Sequence, residues 1–156
     1  MRTVGITGHQ KAPEVVWQTL ADQLPSILGP PPFVGVSSLA VGADQEFART
    51  VLRLGGDLIA IIPSSHYGTS FETAEQREQY QFLLKSAKHH EQLPFDRPNE
   101  DAYLEAGRRV VALSDSLVAV WDGQPAKGKG GTADIVDYAR HLGKRVMVIW
   151  PHGVTR

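Results

Sequence analysis

A chain of 156 residues, 42% hydrophobic and 21% charged, is long enough for a domain with its own core and too apolar for a disordered segment. Its formal net charge of -1 gives no overall basic footprint, which makes nucleic acid an unlikely partner on this reading and leaves only a local basic patch open. It contains no cysteine, which removes disulfides, thiol catalysis and thiolate metal sites.

In chain order, "TVGIT" begins a strand almost at the first residue, which leaves no room for a signal peptide. "PEVVWQTLADQLPSIL" follows with Val15, Val16, Leu20 and Leu24 near one helical face. "FVGVSSLA" is a second strand, and "ADQEFARTVLRLGG" a helix stopping at Gly55-Gly56. "DLIAIIP" is a third strand. Two helices, "ETAEQREQYQFLLKSAKHH" and "NEDAYLEAGRRVVALSD", come next, separated by "EQLPFDRP". The wider stretch "HHEQLPFDRPNED" is the only substantial irregular segment, either a surface connection or a lid. "SLVAVWD" is a fourth strand, "TADIVDYARHLGK" a helix ending at Gly143, and "RVMVIWP" a fifth strand.

The strands are continuous apolar runs without polar alternation, which suits strands buried on both faces of a parallel sheet. Strand alternating with helix predicts one α/β domain over residues 1–156, a doubly wound parallel sheet of about five strands flanked by helices. No apolar run approaches the roughly 18 residues of a membrane span, and a cytoplasmic protein without membrane association is expected.

In such a sheet, ligands bind beyond the carboxyl ends of the strands, where helix N-termini offer free amides and partial positive charge. Gly8, His9 and Gln10 follow the first strand; Gly42, Ala43 and Asp44 follow the second, Pro63 the third, and Gly123 with the glycines of "GKGGT" the fourth. Asp44 and Thr132 are also plausible N-caps. His9 either contacts a ligand or serves the turn by hydrogen bonding.

The glycine loop fails two known phosphate cradles. A P-loop needs Ser or Thr after Lys129, where Gly130 stands; a dinucleotide fingerprint needs an acid at the end of the next strand, which reads "VIWPHGVTR". What survives is Gly130-Gly131-Thr132 at a helix start, able to hold a phosphate. Asp134 in the first turn either complements the helix dipole or faces the ligand.

The pattern "VGITGHQ … SSLAVGADQEFA … RRVVALSDSLVAVWDG … GGTADIVDYARHLGKRVMVIWP" resembles the SLOG superfamily, which includes the LONELY GUY phosphoribohydrolases, the molybdenum-cofactor carrier proteins and the DNA-processing protein DprA. Ser38 to Asp44 is similar to the small-Leu-Ala-x-Gly-x-Asp turn of DprA, and Gly131-Thr132 to the helix start of LONELY GUY enzymes. The resemblance implies a Rossmann-like domain that holds a nucleotide-derived ligand across the Gly8, Gly42 and Gly130 loops, and a homodimer. Two departures stand out. The catalytic glutamate of LONELY GUY enzymes falls on Ile135, and the arginine that DprA-like members carry after the first strand falls on Gln10.

The six histidines show no metal-ligand spacing, His89-His90 reads as surface near a helix end, and no Gly-x-Ser-x-Gly elbow appears. Tyr103 and Arg108 sit roughly 140° apart on one helix, so both cannot face the site squarely. Trp121 is either core or a stacking surface for a base. The expected function is a sensor or carrier of a nucleoside phosphate or ADP-ribose-like molecule. The alternative is a phosphoribohydrolase using Asp134, Glu105 and Arg108. No cofactor or protein-held metal is expected, though magnesium could accompany a phosphate.

Overall fold

The computed structural model describes residues 1–126 and 128–156. The elements run β1 (Arg2–Gly8), α1 (Glu14–Leu28), β2 (Phe33–Ser37), α2 (Ala43–Arg53), β3 (Asp57–Ile62), a 3₁₀ turn (Tyr67–Ser70), α3 (Ala74–Ser86), β4 (His89–Gln92), α4 (Glu100–Leu113), β5 (Ser116–Val120), α5 (Thr132–His141) and β6 (Arg145–Ile149). The sheet has six strands in the order β4-β3-β2-β1-β5-β6, every neighbouring pair parallel. This is the expected Rossmann-like α/β fold, with one strand more than the sequence pattern gives.

The additional strand is β4, formed by part of the segment expected to be irregular. Its sequence, His-His-Glu-Gln, carries no apolar signal because an edge strand pairs on one side only and these side chains are mostly exposed. His89 and His90 therefore lie on an exposed strand rather than at a helix end. The chain beyond β4 is pinned to the loop after β3: the amides of Ser65 and His66 donate to the carbonyls of Phe95 (3.0 Å) and Asp96 (3.2 Å).

Strand alternation divides the core in two. Val118 and Val120 of β5 pack with Leu20, Phe47 and Val51 of α1 and α2, whereas Leu117 packs with Val110 of α4 and Ile135 of α5. α5 ends as predicted, with Gly143 at φ 73 donating to the carbonyl of Arg140. Among the described residues no helix is long and apolar enough to cross a membrane.

Candidate functional site

β1 lies between β2 and β5, so the chain leaves β1 and β5 toward opposite faces, and the loops after these two strands splay apart at the carboxyl edge. A cleft of about 690 Å3 fills the gap. One wall is the loop after β1, residues Gly8 to Lys11. The floor is Ser38, Ala40, Asp44, Pro63 and Tyr67. The far wall is one face of α4 (Tyr103, Ala106, Gly107 and Val110, at helical spacing) and the glycine loop running into α5.

The loop between β2 and α2 is held in an unusual shape by buried polar groups. Leu39 has φ 60 and is fully buried, a conformation that non-glycine residues rarely adopt. The Ser37 hydroxyl accepts from the Leu39 amide (3.1 Å) and donates to the Asp44 carbonyl (3.1 Å), and the Gln45 side chain donates to the Leu39 carbonyl (3.1 Å). These bonds offset the strain of the turn. The next residue but two, Gly42, has φ 86, and its α-carbon passes so close to the β1 loop that a Cβ would lie 2.5 Å from the Gln10 carbonyl oxygen. Gly42, not Asp44, is the N-cap of α2, and Gly131, not Thr132, that of α5; neither helix has a side-chain cap.

His9 serves the turn. It is buried beside Trp150 in an edge-to-face contact, with ring centroids 5.5 Å apart. Its Nδ1 lies 2.8 Å from the Arg156 guanidinium, and its Nε2 lies 3.2 Å from the Asp122 amide and 3.3 Å from an Asp122 carboxylate oxygen. Arg156 also reaches Asp122, at 3.3 Å. Burial, and then the Arg156 charge, hold the His9 pKa below its ordinary value, so its contribution to stability is lost as pH falls through the range below 6.5.

Asp44 lies on the cleft floor, where Oδ2 accepts one long bond from the Ala40 amide (3.3 Å). Burial raises its pKa from 3.8 to about 7, because a single amide does not compensate for lost hydration. The native state therefore holds this proton more tightly than the unfolded chain, and stability falls as pH rises from 3.8 to about 7. Asp44→Asn is expected to raise stability at pH 8 by on the order of 2 kcal/mol, discounted because the carboxyl borders the open cleft, and to change little at pH 4. Urea unfolding at the two pH values checks this.

The cleft gathers Gly8, His9, Gln10, Asp44, Pro63, Gly130, Gly131 and Thr132. Gly42 and Ala43 stand behind it: the Ala43 amide donates to the His9 carbonyl (3.2 Å). Gly123 and Asp134 are not in its walls, nor are Glu105 and Arg108. Those last two pair with each other at 2.9 Å on another face of α4, and the Arg108 guanidinium lies 5.4 Å from the centre of the Tyr138 ring. Ile135 does face the cleft, packed where a Cβ on Gly107 would meet it at 2.3 Å. The position that carries the glutamate in the hydrolases is thus a hydrocarbon plug, and the carboxylates expected to replace it point elsewhere. Trp121 is neither core nor cleft wall; its indole donates to the Gln124 carbonyl (2.8 Å).

The sequence reading missed Lys11, Glu100, Lys129 and Arg156, all of which border the cleft. Lys11 and Lys129 adjoin the glycine loops, so their signal was present in the sequence. Among the described residues no group of three or more His, Asp or Glu is placed to hold a metal ion.

The profile of the family described as DNA recombination-mediator protein A matches residues 1–156. The fold is similar to that of DNA processing protein A from Helicobacter pylori, in a structure described by its single-stranded DNA binding mode: TM-score 0.70, 21% identity, 99% of this chain and 68% of that one. It is similar to DNA processing protein A from Streptococcus pneumoniae at TM-score 0.75 and 17% identity, over 98% of this chain and 52% of that one. The molybdenum cofactor carrier protein of Chlamydomonas reinhardtii is more distant, at TM-score 0.56 and 17% identity, over 94% of this chain and 75% of that one. This chain thus spans about half to two thirds of the two DNA processing proteins. No curated protein sequence matches it. The profile match overturns two expectations: that nucleic acid is an unlikely partner, and that the cleft belongs to a nucleotide sensor, carrier or phosphoribohydrolase.

Proposed function

We propose, because this chain belongs to the DNA recombination-mediator protein A family, that its cleft binds single-stranded DNA and that the protein acts in DNA recombination through that binding. The observation that carries the proposal is the family match over the full 156 residues. The Helicobacter pylori relative, with its described single-stranded DNA binding mode, supports the same ligand class.

The cleft has the chemistry for it. The N-terminus of α5 opens on it at Gly131 and Thr132, and backbone amides at a helix start suit phosphate oxygens. Lys11, Lys129 and Arg156 ring its mouth. Lys129 is paired with Asp101 at 3.3 Å, but both side chains are well exposed, and such a pair yields readily to a phosphate. The net charge of -1 is a sum over the whole chain and does not report the local placement of these three cations, which border the cleft together with the carboxyl groups of Asp44 and Glu100.

Titration of a fluorescein-labelled oligothymidine of about 20 nucleotides, followed by anisotropy, tests the proposal. Three phosphate contacts predict that log affinity falls with log salt with a slope near −2, at roughly 0.7 per contact on a single strand. Absence of saturable binding at low salt would refute it.

A further inference from the structure

The cleft does more than collect cations at its mouth; its floor is acidic and aromatic. We propose that this floor is a base-reading subsite, where Tyr103 stacks an extruded nucleobase and Asp44 accepts hydrogen bonds from its Watson–Crick edge, favouring guanine and disfavouring thymine. This rests on the single-stranded DNA reading above and specifies which base the cleft selects.

Asp44 is used by the fold only in part, in the first turn of α2 and as acceptor from the Ala40 amide. It is not the N-cap of α2, and it belongs to no ion pair among the described residues. Its one hydrogen bond to protein is the long contact from Ala40 to Oδ2; Oδ1 has no protein partner among the described residues. A half-buried carboxyl on a cleft floor with an unused oxygen is an acceptor open to a ligand donor. Desolvation by the surrounding protein pushes its pKa up to about 7. Desolvation of this kind strengthens any hydrogen bond that a ligand supplies.

The aromatic part is equally specific. Tyr103 lines the cleft and is half-buried, and Tyr67 beneath it is buried with ring centroids 6.4 Å apart and planes at 67°. Tyr67 is itself braced edge-on against Phe71 and Tyr80, both at 5.3 Å. Tyr103 is therefore a backed platform in the same cleft as the acid, of the kind on which unstacked bases rest. The cleft volume of about 690 Å3 falls within the range of small-molecule sites, roughly 300–1,000 Å3, and has room for a nucleotide.

The donor pattern decides the base. Guanine presents N1–H and N2–H side by side, matching two carboxylate oxygens. Adenine and cytosine present one amino group beside a ring acceptor. Thymine presents N3–H between two carbonyl oxygens, which would face the acid. The expected order is guanine first, adenine and cytosine next, thymine last. One well-placed bidentate pair discriminates by about tenfold or more.

The test compares 12-mers of oligothymidine carrying one central guanine, adenine or cytosine with the all-thymine strand, by anisotropy at pH 8. The wild-type protein is expected to bind the guanine strand about tenfold more tightly than the all-thymine strand. Asp44→Asn should reduce that ratio to within about twofold, thermal melting verifying its fold. Tyr103→Leu should weaken all four strands without changing their order. Equal affinity of the wild-type protein for all four strands would overturn the base-reading subsite and leave DNA binding intact. Binding to none of them would overturn the DNA reading itself. A guanine preference that survives Asp44→Asn would show that another group reads the base, and would also overturn the proposal.

Discussion

Gly42→Ala is expected to destabilise the protein by about 3 kcal/mol or more and to abolish binding of single-stranded DNA. Two independent penalties add at this position. The backbone is left-handed, φ 86, which is unfavourable by roughly 1–2 kcal/mol for a residue with a side chain. The added methyl would also sit 2.5 Å from the Gln10 carbonyl oxygen and 2.6 Å from that of His9, both main-chain atoms that cannot rotate away. Relieving that overlap pushes the β1 loop from the start of α2, at about 1–3 kcal/mol for overpacking, and separates the Ala43 amide from the His9 carbonyl. Gly123 supplies the control. It has nearly the same dihedral, φ 84, but open space around it, so Gly123→Ala should lower stability by only about 1 kcal/mol. Urea unfolding of both variants, with DNA titration of whichever folds, separates the shape of the loop from its conformational strain.

The second large effect is electrostatic. Replacing Lys11 and Lys129 by Ala and Arg156 by Gln together is expected to weaken single-stranded DNA binding by about 100-fold at moderate salt, and to bring the salt slope from near −2 toward zero. The slope is the more telling observable, because a variant that merely misfolds loses active protein while the remainder keeps its slope. Arg156→Gln alone has a second readout. The Arg156 charge, after burial, is what holds the His9 pKa down, so its removal should move the His9 titration upward, a change that proton NMR of the imidazole follows.

The layout of the molecule was legible in the sequence wherever apolar runs and glycines carried it. Five strands and five helices match the segments that periodicity marks out, because β1, β2, β3 and β5 are largely buried and each helix has one buried stripe, while β6 is a partly exposed edge strand of apolar sequence. β4 was not legible: His89 to Gln92 pair along one edge and bury almost nothing, so no hydrophobic pattern is required of them. The position of the cleft followed from the glycine-bearing loops after β1, β2 and β5, since only glycine allows such a close approach of backbones as that at Gly42.

The occupants of the cleft were less legible. Arg156 joins it across a separation of 147 positions, which no local pattern encodes. Tyr103 and Arg108 were seen to diverge around α4, and Tyr103 is the one in the cleft; Glu105 and Arg108, expected near the chemistry, satisfy each other outside it. Net charge misled most. A sum of -1 does not report where the lysines and arginine at the cleft mouth lie, and binding responds to the local field rather than the sum.

The most direct test of the account is amide hydrogen exchange with and without an oligothymidine of about 12 nucleotides. Protection is expected at Gly8 to Lys11, Ala40 to Asp44 and Gly128 to Thr132, the three loops that frame the cleft between β1 and β5. Protection confined to α3 or to the amino ends of the strands, near Asp57 and Ser116, with the cleft loops unchanged, would contradict it.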